Sequence, residues 1–371
     1  MKIAQVSPLY ESVPPKQYGG TERVVSYLTE ELVKQGHDVT LFASGDSVTN
    51  AELVACCSRS LRGDPECADP LIYHYLMLEE VFGRASQFDL IHFHIDYLHF
   101  PLSRRMGVPQ LSTLHGRLDL PGLASLYREF RDMPLVSISD SQRRPIPWAG
   151  WMGRVYHGLP EDLLSLHETP GDYLAFLGRV SQEKRLDRAI EIAKRVGMPL
   201  KIAAKVDTSD QDYFNDVIKP LLDHSLVEFI GEVGGKEKEE FLGNAYAMLF
   251  PVDWPEPFGL VMIEAMACGT PVIAWPNGSV PEVMEDGVTG FIVEDIAEAA
   301  RAVENVASLD RRRCRRVFEK RFTAACMAQE YMRIYELLLE SAALEERELQ
   351  DPFLDPPLLT HPLAQEVTLS T

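Results

Sequence analysis

Short apolar runs alternate with amphipathic stretches along most of the chain. Ile3 to Ser7 predicts a buried strand. A loop containing Pro and Gly follows and ends in Gly19-Gly20-Thr21, with Thr21 as the expected N-cap of the next element. Val24, Val25, Leu28, Leu32 and Val33 then recur at helical spacing and stop at Gly36. Val39 to Ala43 predicts a second strand. This β-α-β unit carries a glycine-rich loop at the carboxyl end of its first strand. Further strands are predicted at 90–94, 110–115, 135–139 and 154–157, and residues 59–70 as a polar surface excursion.

A second series begins near residue 172. Strands are predicted at 173–177, 200–204, 227–230, 248–250, 271–275 and 290–293. Helices predicted at 186–196, 213–222 and 260–267 alternate with them. Such alternation implies parallel sheets covered on both faces. The expected fold class is α/β, with two Rossmann-like doubly wound domains facing a central cleft. The expected division is 1–165 and 166–325, with a linker around Leu159 to Pro170. Helices continue from about Ile296 to Ser341, and residues 346–371 read as an acidic, Pro-containing tail. Ligands of doubly wound sheets sit outside the carboxyl ends of the strands. The chemistry is therefore expected in the cleft.

A length of 371 residues suits two domains, and 46% hydrophobic with 25% charged residues suits a globular chain. The formal net charge of −20 argues against a nucleic-acid coat and against a polybasic membrane-surface protein. The charge is uneven. From Gly178 to Lys205 there are eight Lys or Arg against three Asp or Glu, a basic island that can meet an anionic ligand. The six cysteines form no C-x-x-C pair and read as free thiols of a reducing compartment. The N-terminus has no long apolar segment and no run reaches the length of a membrane span. A cytoplasmic location is expected.

Several constellations can carry chemistry. Glu256-Pro257-Phe258-Gly259-Leu260 leads into the helix predicted at 260–267. The first amides there, near Phe258, Gly259 and Leu260, lack intrahelical partners and make a ready anion or hydroxyl site. Glu256 stands just before the helix, where a carboxylate can accept bonds from sugar hydroxyls. Glu264 lies one turn after Leu260, on a face that can reach the cleft. Two isolated carboxylates would more often be a cap and an ordinary exposed residue. In Gly178-Arg179-Val180-Ser181-Gln182-Glu183-Lys184, two cations bracket a turn after a strand. Arg179 as a planar fork and Lys184 as a point charge can clamp a diphosphate and stabilise it as it leaves. Solvated surface charges are the plain alternative. Gly19 and Gly20 let the backbone approach a ligand closely. This loop is not G-x-G-x-x-G, so a dinucleotide site is not expected.

His92 and His94 share one face of a strand, with His99 in the following loop. Their spacing offers no further metal ligand, and a buried or cleft-lining polar role is expected. His115, Asp140 and His157 fall at strand ends. Asp210-Gln211-Asp212 opens a predicted helix, where acids suit the dipole without a metal. Trp148 and Trp151, near Arg143 and Arg144, read as packing residues ahead of an aromatic acceptor platform.

The stretch from Glu256 to Val272 resembles the signature of the retaining family-four glycosyltransferases of GT-B architecture. That signature places two glutamates with seven residues between them around Pro-Phe-Gly-Leu, followed by Ala-x-Ala-x-Gly-x-Pro-Val. The resemblance covers about residues 1–340. It implies that Glu256 meets the donor sugar, together with Phe258 and Gly259, and that Glu264 holds the nucleotide ribose. Gly259 and Leu260 would bind phosphate through their amides. The segment from Gly178 to Lys184 resembles the family's diphosphate element, although Arg185 stands where relatives often carry glycine. Gly19 and Gly20 resemble a loop facing the donor phosphates, and His115 a histidine that approaches the donor sugar. His157 stands where relatives often carry Asn.

The resemblance further implies that the first domain presents the acceptor and the second holds the donor. Residues 326–345 would form a helix returning toward the first domain. A hexose, glucose or mannose, would pass from a nucleoside-diphosphate sugar to an unidentified hydroxyl acceptor with retained configuration. A UDP-sugar is expected ahead of a GDP- or ADP-sugar, as a co-substrate and with no metal. Glu256 and His115 would be the catalytic pair. No nucleic-acid partner and at most peripheral membrane contact are expected. Two alternatives of other classes stand beside it: a nucleotide-sugar 2-epimerase, which shares this architecture, and a non-catalytic sugar-nucleotide binding protein.

Overall fold

Seven strands of the amino-terminal half pair in parallel in the order β3-β2-β1-β4-β5-β6-β7. They are β1 (Lys2–Val6), β2 (Asp38–Ser44), β3 (Glu52–Cys57), β4 (Leu90–Phe93), β5 (Gln110–Thr113), β6 (Leu135–Ser137) and β7 (Trp151–Arg154). A second parallel sheet has the order β10-β9-β8-β11-β12-β13. It is built from β8 (Leu174–Arg179), β9 (Leu200–Lys205), β10 (Val227–Gly231), β11 (Ala247–Phe250), β12 (Val272–Ala274) and β13 (Gly290–Ile292). This computed structural model describes residues 1–16 and 19–350, with side chains to residue 344. The central strands, such as β4, β11 and β12, are near-continuous apolar runs because helices cover both faces of each sheet.

The strand order reverses between β1 and β4 in one sheet and between β8 and β11 in the other. At such a switch point the adjoining loops diverge and leave a crevice. The loop after β1 holds Gly19 and Gly20, and that after β8 holds Lys184. The loop after β11 holds Glu256. The topology alone therefore gathers three of the candidate segments at facing edges.

The chain crosses between the halves twice, and the crossings are tied together. Leu159 N donates to Phe322 O at 2.9 Å, and Ala324 N donates to Leu159 O at 2.7 Å. The last helix, Ala324–Gln350, then packs against the first, Gly20–Lys34. One buried apolar cluster runs from Ile3 and Leu28 through Leu159, Phe322 and Tyr331 to Met262 and Val280. The two halves thus share a continuous core.

Several elements differ from the sequence expectation. The first helix starts at Gly20 with Gly19 as its N-cap and no side-chain cap bond, so Thr21 is inside the helix. β3 and the helix Pro70–Gly83 are additional. The seventh strand is Trp151–Arg154 rather than 154–157. The segment 213–222 is not one regular helix, because a π-helical turn occupies Phe214–Ile218. Pro220 has no N–H to give the Asp216 carbonyl, which favours a widened turn there. The last helix runs to Gln350, so residues 346–350 of the expected tail are helical. Residues 351–371 of that tail lie outside the described residues.

Candidate functional site

A cavity of about 950 Å³ lies between the facing sheet edges. Gly19, Gly20, His115, Arg179, Lys184, Glu256, Phe258, Gly259, Leu260 and Glu264 all line it. Residues separated by up to 245 positions in sequence thus face one space. Seven Lys or Arg and six Asp or Glu line the cavity. The wall is thus close to neutral in a chain of net charge −20.

The turn carrying Glu256 is clamped from behind. Ser279 N donates to Glu256 O at 2.9 Å, and Ser279 Oγ donates to Phe258 O at 2.8 Å. Gly278 has φ +65°, and a Cβ there would lie 2.2 Å from Glu256 N. Only glycine allows that approach. Gly259 has φ +79°, and a Cβ there would meet Met262 Cε at 2.8 Å. This left-handed residue ends the turn and starts the helix Leu260–Ala267, whose free amides and dipole face the cavity wall.

Both glutamates are held by lysines. Glu256 Oε2 pairs with the Lys184 ammonium and accepts a bond from Trp254 Nε1–H at 2.9 Å. Lys184 Nζ also lies 5.1 Å from the Trp254 ring centroid, a cation–π contact. Glu264 is 4% exposed and pairs with Lys238 Nζ at 2.5 Å. Neither carboxylate is poised as a bare nucleophile.

Arg179 is held by three carboxylates: Glu183 at 2.7 Å, Asp210 at 3.4 Å and Asp207 at 3.7 Å. Asp210 of the Asp-x-Asp motif therefore serves Arg179. Among the described residues no group of three or more His, Cys, Asp or Glu is placed to hold a metal ion. Arg185 takes the left-handed conformation itself, with φ +54°. Its guanidinium turns to Asp253 at 2.7 Å and Asp187 at 2.8 Å, and it does not line the cavity. The turn that glycine would make freely is thus kept, and the extra charge is spent outside the site.

Among the lining residues are His94, His115 and His157, and His92 packs against His94. His115 Nε2 lies 2.9 Å from His94 Nδ1. His157 stacks on His115 with centroids 5.2 Å apart and meets the edge of Phe258 at 4.9 Å. Burial lowers the pKa of His92, His94 and His157 well below the ordinary imidazole value and that of His115 to about 3. His115 is therefore a neutral hydrogen-bonding group at neutral pH, not a cation. His99 is a core residue, bound to Ser103 and Ser112 at 2.8 and 2.7 Å.

Several lining residues were not singled out from sequence. Lys238, Trp254 and Arg117 are among them, with Arg117 over the Trp254 ring at 5.5 Å. Lys238 sits in a charged helix that looks like any solvated surface. Asp96 has φ +52° and opens to the cavity. Desolvation by the surrounding walls pushes its carboxyl up to about 6. Trp148, Trp151 and Asp140 do not line the cavity. The two indoles carry Arg128 and Arg143 over their rings. At Asp140 the halves touch again: the Asp140 and Ser141 amides donate to Glu282 at 2.7 and 2.6 Å.

Comparison with known proteins agrees with this geometry. The sequence profile of glycosyl transferases group 1 matches residues 165–321, and that of glycosyltransferase family 4 matches residues 18–153. An uncharacterized glycosyltransferase of Methanocaldococcus jannaschii is 24% identical over 79% of this chain and 85% of its own. A glycosyltransferase involved in avilamycin A biosynthesis superposes with TM-score 0.70 at 25% identity, over 91% of this chain and 98% of the other. An Anabaena protein crystallised with UDP-glucose has the same fold, with TM-score 0.70 at 18% identity over 92% and 100%. With two profiles on the two halves and one architecture throughout, this chain belongs to the group 1, family-four glycosyltransferases of GT-B architecture.

Proposed function

We propose that this protein transfers a hexose from a nucleoside-diphosphate sugar, UDP-glucose first, to a hydroxyl acceptor with retained anomeric configuration. The observation that supports it is the convergence of all ten predicted residues on one cavity between the domains. The Leu260 helix amides and the Lys184 ammonium would receive the diphosphate, and Glu264 the ribose. Arg179 would join them by exchanging a carboxylate partner for a phosphate. Glu256, fixed by Trp254 and Lys184, would accept bonds from sugar hydroxyls. A fold neighbour that holds UDP-glucose supports the choice of base and sugar.

In the proposed step the bond from the anomeric carbon to the diphosphate oxygen breaks. The acceptor oxygen forms its bond from the same face, and its proton passes to a donor phosphate oxygen. Lysine and helix amides aimed at the leaving group stabilise the charge that develops there. Neutral His115 positions the sugar and moves no proton.

UDP should raise the melting temperature, because a ligand bound to the native state adds about 2.7 kcal/mol at a hundredfold excess over Kd. Lys184→Ala should cut release of UDP from UDP-glucose by about a hundredfold or more. Normal UDP binding and turnover by that variant would refute the clamp. Proton NMR of UDP-glucose with the enzyme alone tests the epimerase reading, which requires a C2 epimer still bound to UDP.

A further inference from the structure

The histidines in and behind the cavity wall carry an ordered chain of protons. His92, His94 and His115 are all held neutral by burial. A neutral imidazole has one donor nitrogen and one acceptor nitrogen. The order of the chain is then set at its end, by Gln5. Gln5 Oε1 lies 2.8 Å from His94 Nε2 and can only accept. His94 therefore carries its proton on Nε2, and its Nδ1 is a lone pair. That lone pair meets His115 Nε2 at 2.9 Å, so His115 must donate from Nε2. The remaining nitrogen, His115 Nδ1, is buried and has no partner. Orphaned buried acceptors are tolerated better than orphaned buried N–H groups, which agrees with a lone pair there.

The same amide orders a second arm. Gln5 Nε2 donates to Tyr335 OH at 3.2 Å. Tyr335 OH then gives its own proton to His92 Nδ1 at 2.7 Å, and His92 Nε2–H donates to Thr113 Oγ1 at 2.8 Å. Thr113 Oγ1 lies 2.9 Å from Tyr331 OH. Both tyrosines stand on the returning helix Ala324–Gln350. Turning the Gln5 amide over would reverse every proton in both arms.

We propose that His94, held by Gln5 and through it by Tyr335, is a positioning residue that fixes His115 as the Nε2–H tautomer. His115, which lines the cavity, is then left with an acceptor nitrogen just beneath the cavity wall. That nitrogen suits a hydroxyl of the bound sugar and repels a phosphate oxygen. The sugar contact rests on the donor reading given above, whereas the tautomer does not.

The test has two arms. In histidine-labelled protein, long-range ¹H–¹⁵N correlation should show His115 protonated at Nε2 and bare at Nδ1 between pH 6 and 8. A proton on Nδ1 in the wild type overturns the proposal. His94→Phe keeps an aromatic ring and removes the relay. It should give a mixed His115 tautomer, with kcat for hydrolysis of UDP-glucose, GDP-mannose or ADP-glucose down about tenfold, the loss of one oriented hydrogen bond. The Kd for UDP should stay within about twofold, since the relay touches no phosphate site. An unchanged tautomer with unchanged kcat also overturns it. If the variant does not fold, the wild-type spectrum decides alone. If no donor is hydrolysed by the wild type, the donor reading fails and the tautomer is still judged by the spectrum.

Discussion

Mild acid should loosen this fold before most of its carboxylates titrate. Burial holds the pKa of five histidines far down, His92, His94, His99, His115 and His157, and lowers that of His74 as well. In the unfolded chain each recovers a pKa near 6.5. The unfolded chain then binds protons that the folded chain refuses. Stability is therefore intact above about pH 6.5 and falls as the pH drops below it. One pH unit below that value each group costs about 1 kcal/mol, so five cost on the order of 5 kcal/mol. Glu11, Glu22 and Asp96 act in the opposite sense, because their folded pKa values are raised, chiefly by desolvation. They return only part of the loss, since Asp96 opens to cavity solvent and Glu11 is incompletely buried. A net loss of a few kcal/mol is large against the roughly 5–15 kcal/mol of a typical domain. Urea midpoints at pH 7.5, 6.5 and 5.5, at constant ionic strength, read it directly. A midpoint that stays flat, or a His115 resonance that titrates near pH 6.5, would refute the burial argument.

Other perturbations probe the site itself. Gly278→Ala places a methyl 2.2 Å from Glu256 N at φ +65°, so it should cost about 2 kcal/mol or more and abolish UDP stabilisation in a melting assay. Lys238→Met leaves the buried Glu264 carboxylate unpaired. It should weaken UDP binding by about tenfold or more in calorimetry, and unchanged affinity would remove Glu264 from the ribose site. Glu282→Ala deletes the carboxylate that accepts from the Asp140 and Ser141 amides across the cleft. It should shift small-angle scattering toward a more open form, and an unchanged profile would make that contact incidental.

Much of the architecture could be read from sequence because parallel strands buried on both faces leave apolar runs. The helices predicted at 186–196 and 260–267 coincide with Leu186–Val196 and Leu260–Ala267. The misses have physical causes. The helix Pro70–Gly83 is apolar almost all round, with Leu71, Ile72, Tyr75 and Leu76 exposed, so no periodic stripe marks it. β3 is an edge strand with mixed exposure. The candidate site was legible where a backbone turn is written in glycine, as at Gly19, Gly259 and the strand end before Arg179. It was not legible where a partner arrives from another element. Nothing local to Lys238 announces Glu264, and nothing local to His94 announces His115 or Gln5. The left-handed backbone at Asp96 and Arg185 is carried by residues that do not advertise it.

The last helix gives the chain an order of assembly. Tyr331 and Tyr335 are wholly buried against the first sheet, where they complete hydrogen bonds begun by Gln5, His92 and Thr113. The residues that close the first domain are therefore made only after the whole second domain. Between Arg154, which ends the first sheet, and Tyr335 the ribosome must add the whole second domain. At roughly 5–20 residues per second that interval is on the order of ten to forty seconds. Through it the nascent first domain carries buried histidines without their tyrosine lids and an apolar groove without its helix. A truncation just before Ala324 should therefore yield a chain that chaperones hold rather than release, although every strand of both sheets is already present.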